Sequence, residues 1–108
     1  MKGVGDMIRG TTPTIIYELP FSTSEVKTAE ITIQYVDNHK KILITKETDD
    51  CVIGDNTIST TLTQEETAQL PAPSDIEVQL YITTTDDKIM ATVVERVSVK
   101  RLLKEVEV

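Results

Sequence analysis

Cysteine and aromatic residues are scarce in this chain of 108 residues. Cys51 is the only cysteine, so the chain cannot build a disulfide framework from its own thiols. The preceding residues, Asp49 and Asp50, disfavour the thiolate that nucleophilic chemistry needs, and we therefore expect a packed or edge thiol. Tryptophan is absent and aromatic residues make up 4% of the chain, which leaves few rings for an exposed carbohydrate-binding platform.

The chain also lacks an excess of basic residues and any long apolar run. Eleven Lys and Arg stand against 18 Asp and Glu, a formal net charge of -7, so a nucleic acid would meet net repulsion. No apolar stretch approaches the ~20 residues that cross a bilayer, and residues 1–10 show no apolar run of signal-peptide length. We expect neither nucleic acid nor membrane as a partner, and a chain that is cytoplasmic when synthesised.

Residues that carry catalysis or bind metals are too few to form a recognisable site. The only histidine, His39, falls in a predicted turn, and zinc needs three or four converging nitrogen or sulfur ligands. The acidic pairs Asp49–Asp50 and Asp86–Asp87 lack the Asp-x-Asp-x-Asp-Gly order of a calcium loop. Ser22–Ser24 has neither a histidine partner nor a glycine-flanked elbow for nucleophilic attack. We therefore predict a protein that is not an enzyme and holds no cofactor and no metal.

Branched β-carbons are abundant, since Ile and Val together supply 23 positions and Thr another 17. Such stiff side chains favour a pleated surface, so the composition predicts an all-β fold. Apolar and polar residues alternate most clearly over Ala29–Tyr35 and Asp75–Ile82, which predicts two strands with one buried face each. The polar turn Asp37–Lys40 joins the first of them to Lys41–Glu47 as an antiparallel hairpin.

Three further strands complete the predicted set. Thr12–Leu19 begins the ordered body, after a leader over Met1–Gly10 that shows no periodicity. Thr57–Leu62 is a weakly apolar strand. Lys88–Val99 is a long strand in which Glu95 occupies a position where the alternation calls for an apolar residue. This interruption indicates a bulge or a stretch that runs past the core.

The stretch TLTQEETAQLPAP, residues 61–73, predicts a helix of barely two turns between two strands. Thr63 stands at the N-cap position with Glu66 three residues later, which is the spacing of a capping box. Pro71 ends the helix. Because so short a helix is not stable alone, we expect it near residues 63–70 to carry the chain over the end of the core from one sheet to the other.

Short strands at this spacing, without βαβ alternation, predict an immunoglobulin-like β-sandwich with Greek-key connections; a small barrel is the alternative. Residues 1–10 are predicted to form a flexible leader, and residues 11–108 a single β-sandwich domain. The last part of this domain, residues 99–108, is an apolar tail. Because tryptophan and a cysteine pair are missing, the antibody-type core is not expected.

The tail carries a helical pattern of apolar residues. Four side chains fall at i, i+3, i+4 and i+7, on one face of a helix: Val99, Leu102, Leu103 and Val106. This face either folds back on its own sandwich or docks on a neighbouring subunit. We take these four residues as candidate assembly contacts.

Three stretches of the chain carry a resemblance to known proteins: RGTTPTIIYELPF near the start, LTQEET in the middle and DIEVQLYITTTDDKIMAT after it. With them the chain resembles small structural proteins encoded by phages and prophages of Gram-positive bacteria, and it is broadly similar to the N-terminal domain of phage baseplate upper proteins. The likeness spans about Arg9 to Leu103. It implies an immunoglobulin-like sandwich used in virion assembly, and it supplies no catalytic residues.

The resemblance implies a non-enzymatic structural module of a phage-like particle, a component of its tail or baseplate. Such a protein becomes virion-associated after its synthesis, and its partners are other phage structural proteins or further copies of itself. A carbohydrate- or surface-binding β-sandwich module is the alternative. An assembly part should self-associate or co-purify with phage proteins, whereas a binding module should be monomeric and be retained on glycans.

Overall fold

Two β-sheets make up the fold. The computed structural model of the chain describes residues 6–37 and 39–103. These residues form nine strands: β1 Met7–Ile8, β2 Thr14–Glu18, β3 Val26–Val36, β4 Lys41–Glu47, β5 Val52–Ile53, β6 Thr57–Thr61, β7 Ser74–Thr84, β8 Ile89–Ala91 and β9 Glu95–Lys100. The larger sheet has the order β1-β9-β7-β3-β4, with β8 also paired to β7, and the smaller sheet has the order β2-β6-β5. The all-β prediction is confirmed.

Strand β7 is the centre of the larger sheet, and its alternation follows the sequence pattern. Its four inward apolar side chains are all at most 3% exposed: Ile76, Val78, Leu80 and Ile82. It pairs antiparallel with β3, and β3 pairs in turn with β4 through the predicted polar turn. The predicted hairpin and its buried face are therefore confirmed.

Inward side chains of both sheets form one hydrophobic cluster. The smaller sheet contributes Ile15, Tyr17 and Ile58, each 0% exposed, and these pack with the buried residues of β3 and β7. Each large apolar side chain that is fully buried contributes about 1.5–3 kcal/mol relative to an exposed one. Phe21 and Val26 close one end of the cluster, where a 3-10 turn over Thr23–Glu25 carries the chain from β2 to β3.

The predicted short helix is present as α1, residues Gln64–Ala68. Thr63 is its N-cap, and the capping box with Glu66 is formed in both directions. The helix leads from β6 in the smaller sheet to β7 in the larger one, and the buried side chains of Ala68 and Leu70 fasten it to the protein. Tertiary packing therefore holds a helix that is too short to persist alone.

The predicted leader over residues 1–10 is too long, and the structure corrects it. Met7 and Ile8 form strand β1, which runs parallel to β9, and Met7 is 1% exposed. The backbone N–H of Gly10 donates to Oγ1 of Thr67 at 3.1 Å. A strand of two residues has no periodicity, so the sequence pattern gave no sign of it. Residues 1–5 lie outside the described residues.

Candidate assembly surface

Strand β8 has one paired and one free edge. It pairs with β7, and no strand within residues 6–37 and 39–103 lies on its other side. Two backbone bonds bracket the pairing: the N–H of Thr84 donates to the carbonyl of Lys88 at 2.8 Å, and that of Thr92 to the carbonyl of Leu80 at 2.9 Å. Because partners alternate along an antiparallel ladder, the N–H and C=O groups of Ile89 and Ala91 point to the free edge.

Apolar side chains line this free edge, and we name residues Ile89–Val94 the β8 edge. Four of its side chains are well exposed: Ile89 at 64%, Met90 at 42%, Val93 at 80% and Val94 at 50%. The run contains no charged residue and no proline, the usual guards of an edge strand. Strand β4, at the far side of the same sheet, carries three charged residues, and β5 has only two residues.

A bulge separates β8 from β9 and shapes the second half of the β8 edge. Between the pairs Tyr81–Ala91 and Val78–Glu95, β7 advances three residues while the opposite chain advances four. Oγ1 of Thr92 accepts the backbone N–H of Leu80 at 3.1 Å and so replaces a backbone acceptor of the ladder. The predicted break in the long C-terminal strand is confirmed, and its consequence is that Val93 and Val94 stand out into solvent.

The turn between β7 and β8 is held by a hydroxyl. Oγ1 of Thr84 accepts the backbone N–H of Lys88 at 3.0 Å and donates to the carboxylate of Asp86. This bond from Thr84 is the main reason that the pKa of Asp86 lies below its ordinary value. Asp87 takes a left-handed conformation with φ 64°, which aspartate tolerates better than most residues. The turn presents β8 in one defined position.

A cleft of about 410 Å³ opens beside the β8 edge. Its apolar walls are Phe21 and Met90, and Glu25, Asp86 and Lys88 stand among its polar lining. A second, smaller cavity of about 30 Å³, lined mainly by apolar side chains, shares Phe21 and Met90 with the cleft. The β8 edge therefore borders a concave surface with an apolar floor and a charged rim.

The same end of the protein is strongly acidic. Backbone bonds tie its loops together: Thr23 N–H donates to the carbonyl of Asp55, and Thr85 N–H to that of Glu25, both at 2.9 Å. We name the connections Pro20–Glu25, Thr48–Cys51, Gly54–Asn56 and Thr85–Lys88 the acidic end. Their charged side chains are six acidic and one basic, all exposed: Glu25, Asp49, Asp50, Asp55, Asp86, Asp87 and Lys88.

Cys51 lies at the acidic end, and its thiol has low reactivity as a nucleophile. Partial burial raises the pKa of its thiol, and the charge of Asp50 raises it further, while Lys46 opposes them. The thiolate is therefore disfavoured, as the sequence predicted. The site offers no activated nucleophile at this position.

The predicted contact residues of the tail are not brought together on one helical face. Val99 lies in β9 opposite Ser74 and is 1% exposed, so it belongs to the core and its assignment as an assembly contact is wrong. The physical reason is the period of two in β9, which sends Val97 and Val99 inward together. No helix forms over residues 101–103. Leu102 is partly buried and Leu103 is 95% exposed, while Val106 lies outside the described residues.

The β8 edge is a feature that the sequence pattern did not mark as a site. Its only mark in the sequence is the uncharged run IMATVV, and such a run is equally typical of a strand that is paired on both edges. The chain matches no protein-family model, and no curated protein matches it. Among the residues that the structure describes, no helix is long and apolar enough to cross a membrane. The geometry and charge around the β8 edge therefore carry the functional conclusion.

Proposed function

We propose that this chain is a non-enzymatic assembly module of a phage-like particle, a component of its tail or baseplate. It joins neighbouring proteins through the β8 edge, by pairing backbone groups and covering exposed apolar side chains. Other phage structural proteins or further copies of the chain are the partners. The resemblance of the sequence to phage structural proteins supports the setting, and the free edge supports the mode of contact.

One observation carries the proposal, namely an apolar strand edge that has no charged residue and no proline. Soluble proteins normally protect such edges with charges, proline or a covering loop, because an open edge pairs with any suitable strand. At the β8 edge, Ile89 and Val93 are the most exposed side chains, and each would contribute about 1.5–3 kcal/mol if fully buried in a contact. Strand addition at an exposed sheet edge is a recurrent mode of recognition.

We further propose that the fold is an immunoglobulin-like β-sandwich with Greek-key connections. The strand order supports this assignment, because β9-β7-β3-β4 corresponds to strands G, F, C and C′ of the variable type. The order β2-β6-β5 corresponds to strands B, E and D of the opposite sheet. The small-barrel alternative has less support, because the two sheets have separate strand ladders.

A carbohydrate- or surface-binding module is the second candidate, and the cleft is the observation that favours it. Its apolar walls at Phe21 and Met90 and its charged rim are the kinds of groups that hold a small polar ligand. Tyr81, 43% exposed, presents one aromatic ring on the outer face of β7 and does not line the cleft. Retention of the monomeric protein on a glycan matrix, lost in Phe21→Ala and Met90→Ala, would support this candidate instead.

The test of the assembly proposal is a charge placed on the free edge. Ile89→Lys should leave the fold intact, because the side chain is 64% exposed, but should obstruct strand pairing. Leu43→Lys is the matched control, since Leu43 is 56% exposed on β4, an edge that already carries lysines. We expect Ile89→Lys to lose association in light scattering or co-purification with phage structural proteins, and Leu43→Lys to keep it.

Circular dichroism and the melting transition of both variants should match those of the wild type. If Ile89→Lys folds and associates as the wild type does, the β8 edge is not the contact and the proposal is overturned. If both variants lose association equally, the effect comes from added charge in general, and the proposal is overturned as well.

A further inference from the structure

We infer that residues Arg101–Leu103 of one copy add as a strand to the β8 edge of a second copy. The inference rests on the proposed assembly function and names its partner, which is the chain itself. The contact joins opposite ends of two molecules, so it links copies head to tail. Four features of the structure support it: reach, charge, apolar pattern and backbone groups.

The reach of the segment excludes its own β8 edge. Val99 lies opposite Ser74 and Ala91 lies opposite Tyr81, on the same side of β7. Seven residues of strand separate these two points, about 23 Å. Leu103 follows Val99 by four residues and reaches at most about 14 Å from it. The segment up to Leu103 therefore cannot lie along the β8 edge of its own molecule.

The charges of the two surfaces are complementary. The segment follows Lys100, and residues 100–105 read KRLLKE, with three basic side chains and one acidic one in a chain with a net charge of -7. The acidic end, with its six acidic side chains and one basic, adjoins the β8 edge through the Thr85–Lys88 turn. Opposite charges across a contact speed association and fix its orientation. The connections 9–13, 37–40 and 62–73 at the opposite end are nearly balanced, with three acidic and two basic residues.

The apolar residues of the segment suit an edge strand. In an extended chain Leu102 points to one face and Leu103 to the other, so an added strand presents one apolar side chain on each face. Leu103 is 95% exposed in the single chain, so it gains from any contact that covers it. On the β8 side, Met90 and Phe21 form the apolar wall of the adjoining cleft.

The backbone groups of the β8 edge supply the remaining interaction. The N–H and C=O groups of Ile89 and Ala91 point away from β7 and are positioned to pair with an added strand. The two surfaces in contact are different, so the interface is heterologous. Repetition of such an interface produces a ring if the rotation closes and a filament if it does not.

The test is complementation between two full-length variants in sedimentation velocity. Ile89→Lys keeps the segment and loses the edge, while Leu102→Asp with Leu103→Asp keeps the edge and loses the segment. We expect each variant alone to associate at least about tenfold more weakly than the wild type. An equimolar mixture should form a 1:1 heterodimer that grows no further, because one intact segment meets one intact edge.

Two further measurements separate loss of contact from loss of folding and test the role of charge. Leu102 is partly buried, so Leu103→Asp alone, at a fully exposed position, should reproduce the loss if the double variant is destabilised. Raising the salt from about 0.05 M to about 0.5 M should weaken the heterodimer, because screening shortens the range of the charge complementarity.

The possible failures point to different conclusions. If the tail variants associate as the wild type does while Ile89→Lys does not, this inference is overturned and the assembly proposal stands, with pairing of two β8 edges as the next model. If both variants lose association and the mixture does not restore it, the segment and the edge do not meet. If the wild type is monomeric at high concentration, a second copy is not the partner, and co-purification alone decides the assembly proposal.

Discussion

Thr63 and Glu66 form two reciprocal hydrogen bonds across the first turn of α1. Oγ1 of Thr63 accepts the backbone N–H of Glu66 at 3.1 Å, and the carboxylate of Glu66 accepts the N–H of Thr63 at 2.8 Å. The same carboxylate oxygen lies 2.8 Å from Nζ of Lys46 on β4, and both side chains are largely buried. One glutamate therefore caps the crossover helix and ties it to the larger sheet.

Removal of the cap should destabilise the protein measurably. Thr63→Ala leaves the N–H of Glu66 without its acceptor, so we expect a loss of about 0.5–2 kcal/mol in the free energy of unfolding. The denaturant midpoint measures this loss. Gln64→Ala, an exposed change at the next position, is the control and should leave the midpoint near the wild-type value. An unchanged midpoint in Thr63→Ala would contradict the role of the cap.

The Glu66 carboxylate should make stability depend on acidic pH. Burial acts to raise its pKa, but the bonds from Lys46 and from the Thr63 N–H outweigh it, and the pKa lies below its ordinary value of 4.5. A lowered pKa in the folded state means that its stabilisation is present above pH 4.5 and is lost as the pH falls through the folded value. Glu66→Gln should therefore lose less stability than the wild type between pH 6 and 3.

The control for this experiment is Glu65→Gln, which removes the neighbouring exposed carboxylate and leaves the Lys46 ion pair intact. Its stability should fall with acid as steeply as that of the wild type. Equal acid dependence in Glu66→Gln and the wild type would show that the ion pair makes no contribution in this range.

The hydroxyl of Tyr17 should make no contribution to the stability of the fold at neutral pH and should reduce that stability at alkaline pH. Within the described structure the buried oxygen has no hydrogen-bond partner, although Thr92 and Glu95 are close. Burial raises the pKa of Tyr17 from 10.0 to about 12, the charge of Glu95 adds to the rise, and Thr92 opposes it. We expect Tyr17→Phe to be as stable as the wild type, or more stable, at pH 7.

The sign of the alkaline effect follows from the raised pKa. Above pH 10 the unfolded chain loses the proton while the folded chain keeps it, so the wild type loses stability as the pH rises from 10 toward about 12. Tyr17→Phe should be less sensitive in that range. Tyr81→Phe, at a 43% exposed tyrosine, is the control and should behave as the wild type. Destabilisation of Tyr17→Phe at pH 7 would mean that the hydroxyl has a partner.

Local patterns predicted much of the fold. The alternation over Asp75–Ile82 predicted β7 and its buried face, because a period of two separates inward from outward side chains without reference to any partner. The capping box at Thr63 and the stop at Pro71 predicted α1 for a similar reason, since caps act within one turn. The break near Glu95 was also visible as a loss of phase.

Two predictions were wrong where local pattern and tertiary pairing disagree. The leader carries a two-residue strand, β1, which pairs with β9 and buries Met7 in the core. Val99 was placed on a helical stripe, yet β9 extends to Lys100 because Ser74 and Met7 pair with it on either side. The spacing of apolar residues within one segment carries no information about which distant strands pair with that segment.

By itself the sequence determined an all-β chain, the positions of its long strands and the capped helical turn α1. Only the tertiary structure decided that Ile89–Val94 is a free edge and that the four acidic connections lie at one end of the protein. The physical reason is that a strand's own pattern sets which face is buried, whereas its edges are satisfied by other strands that lie far away in the chain. Whether the backbone groups of Ile89 and Ala91 face a partner or solvent is therefore settled by the packing of the whole sheet.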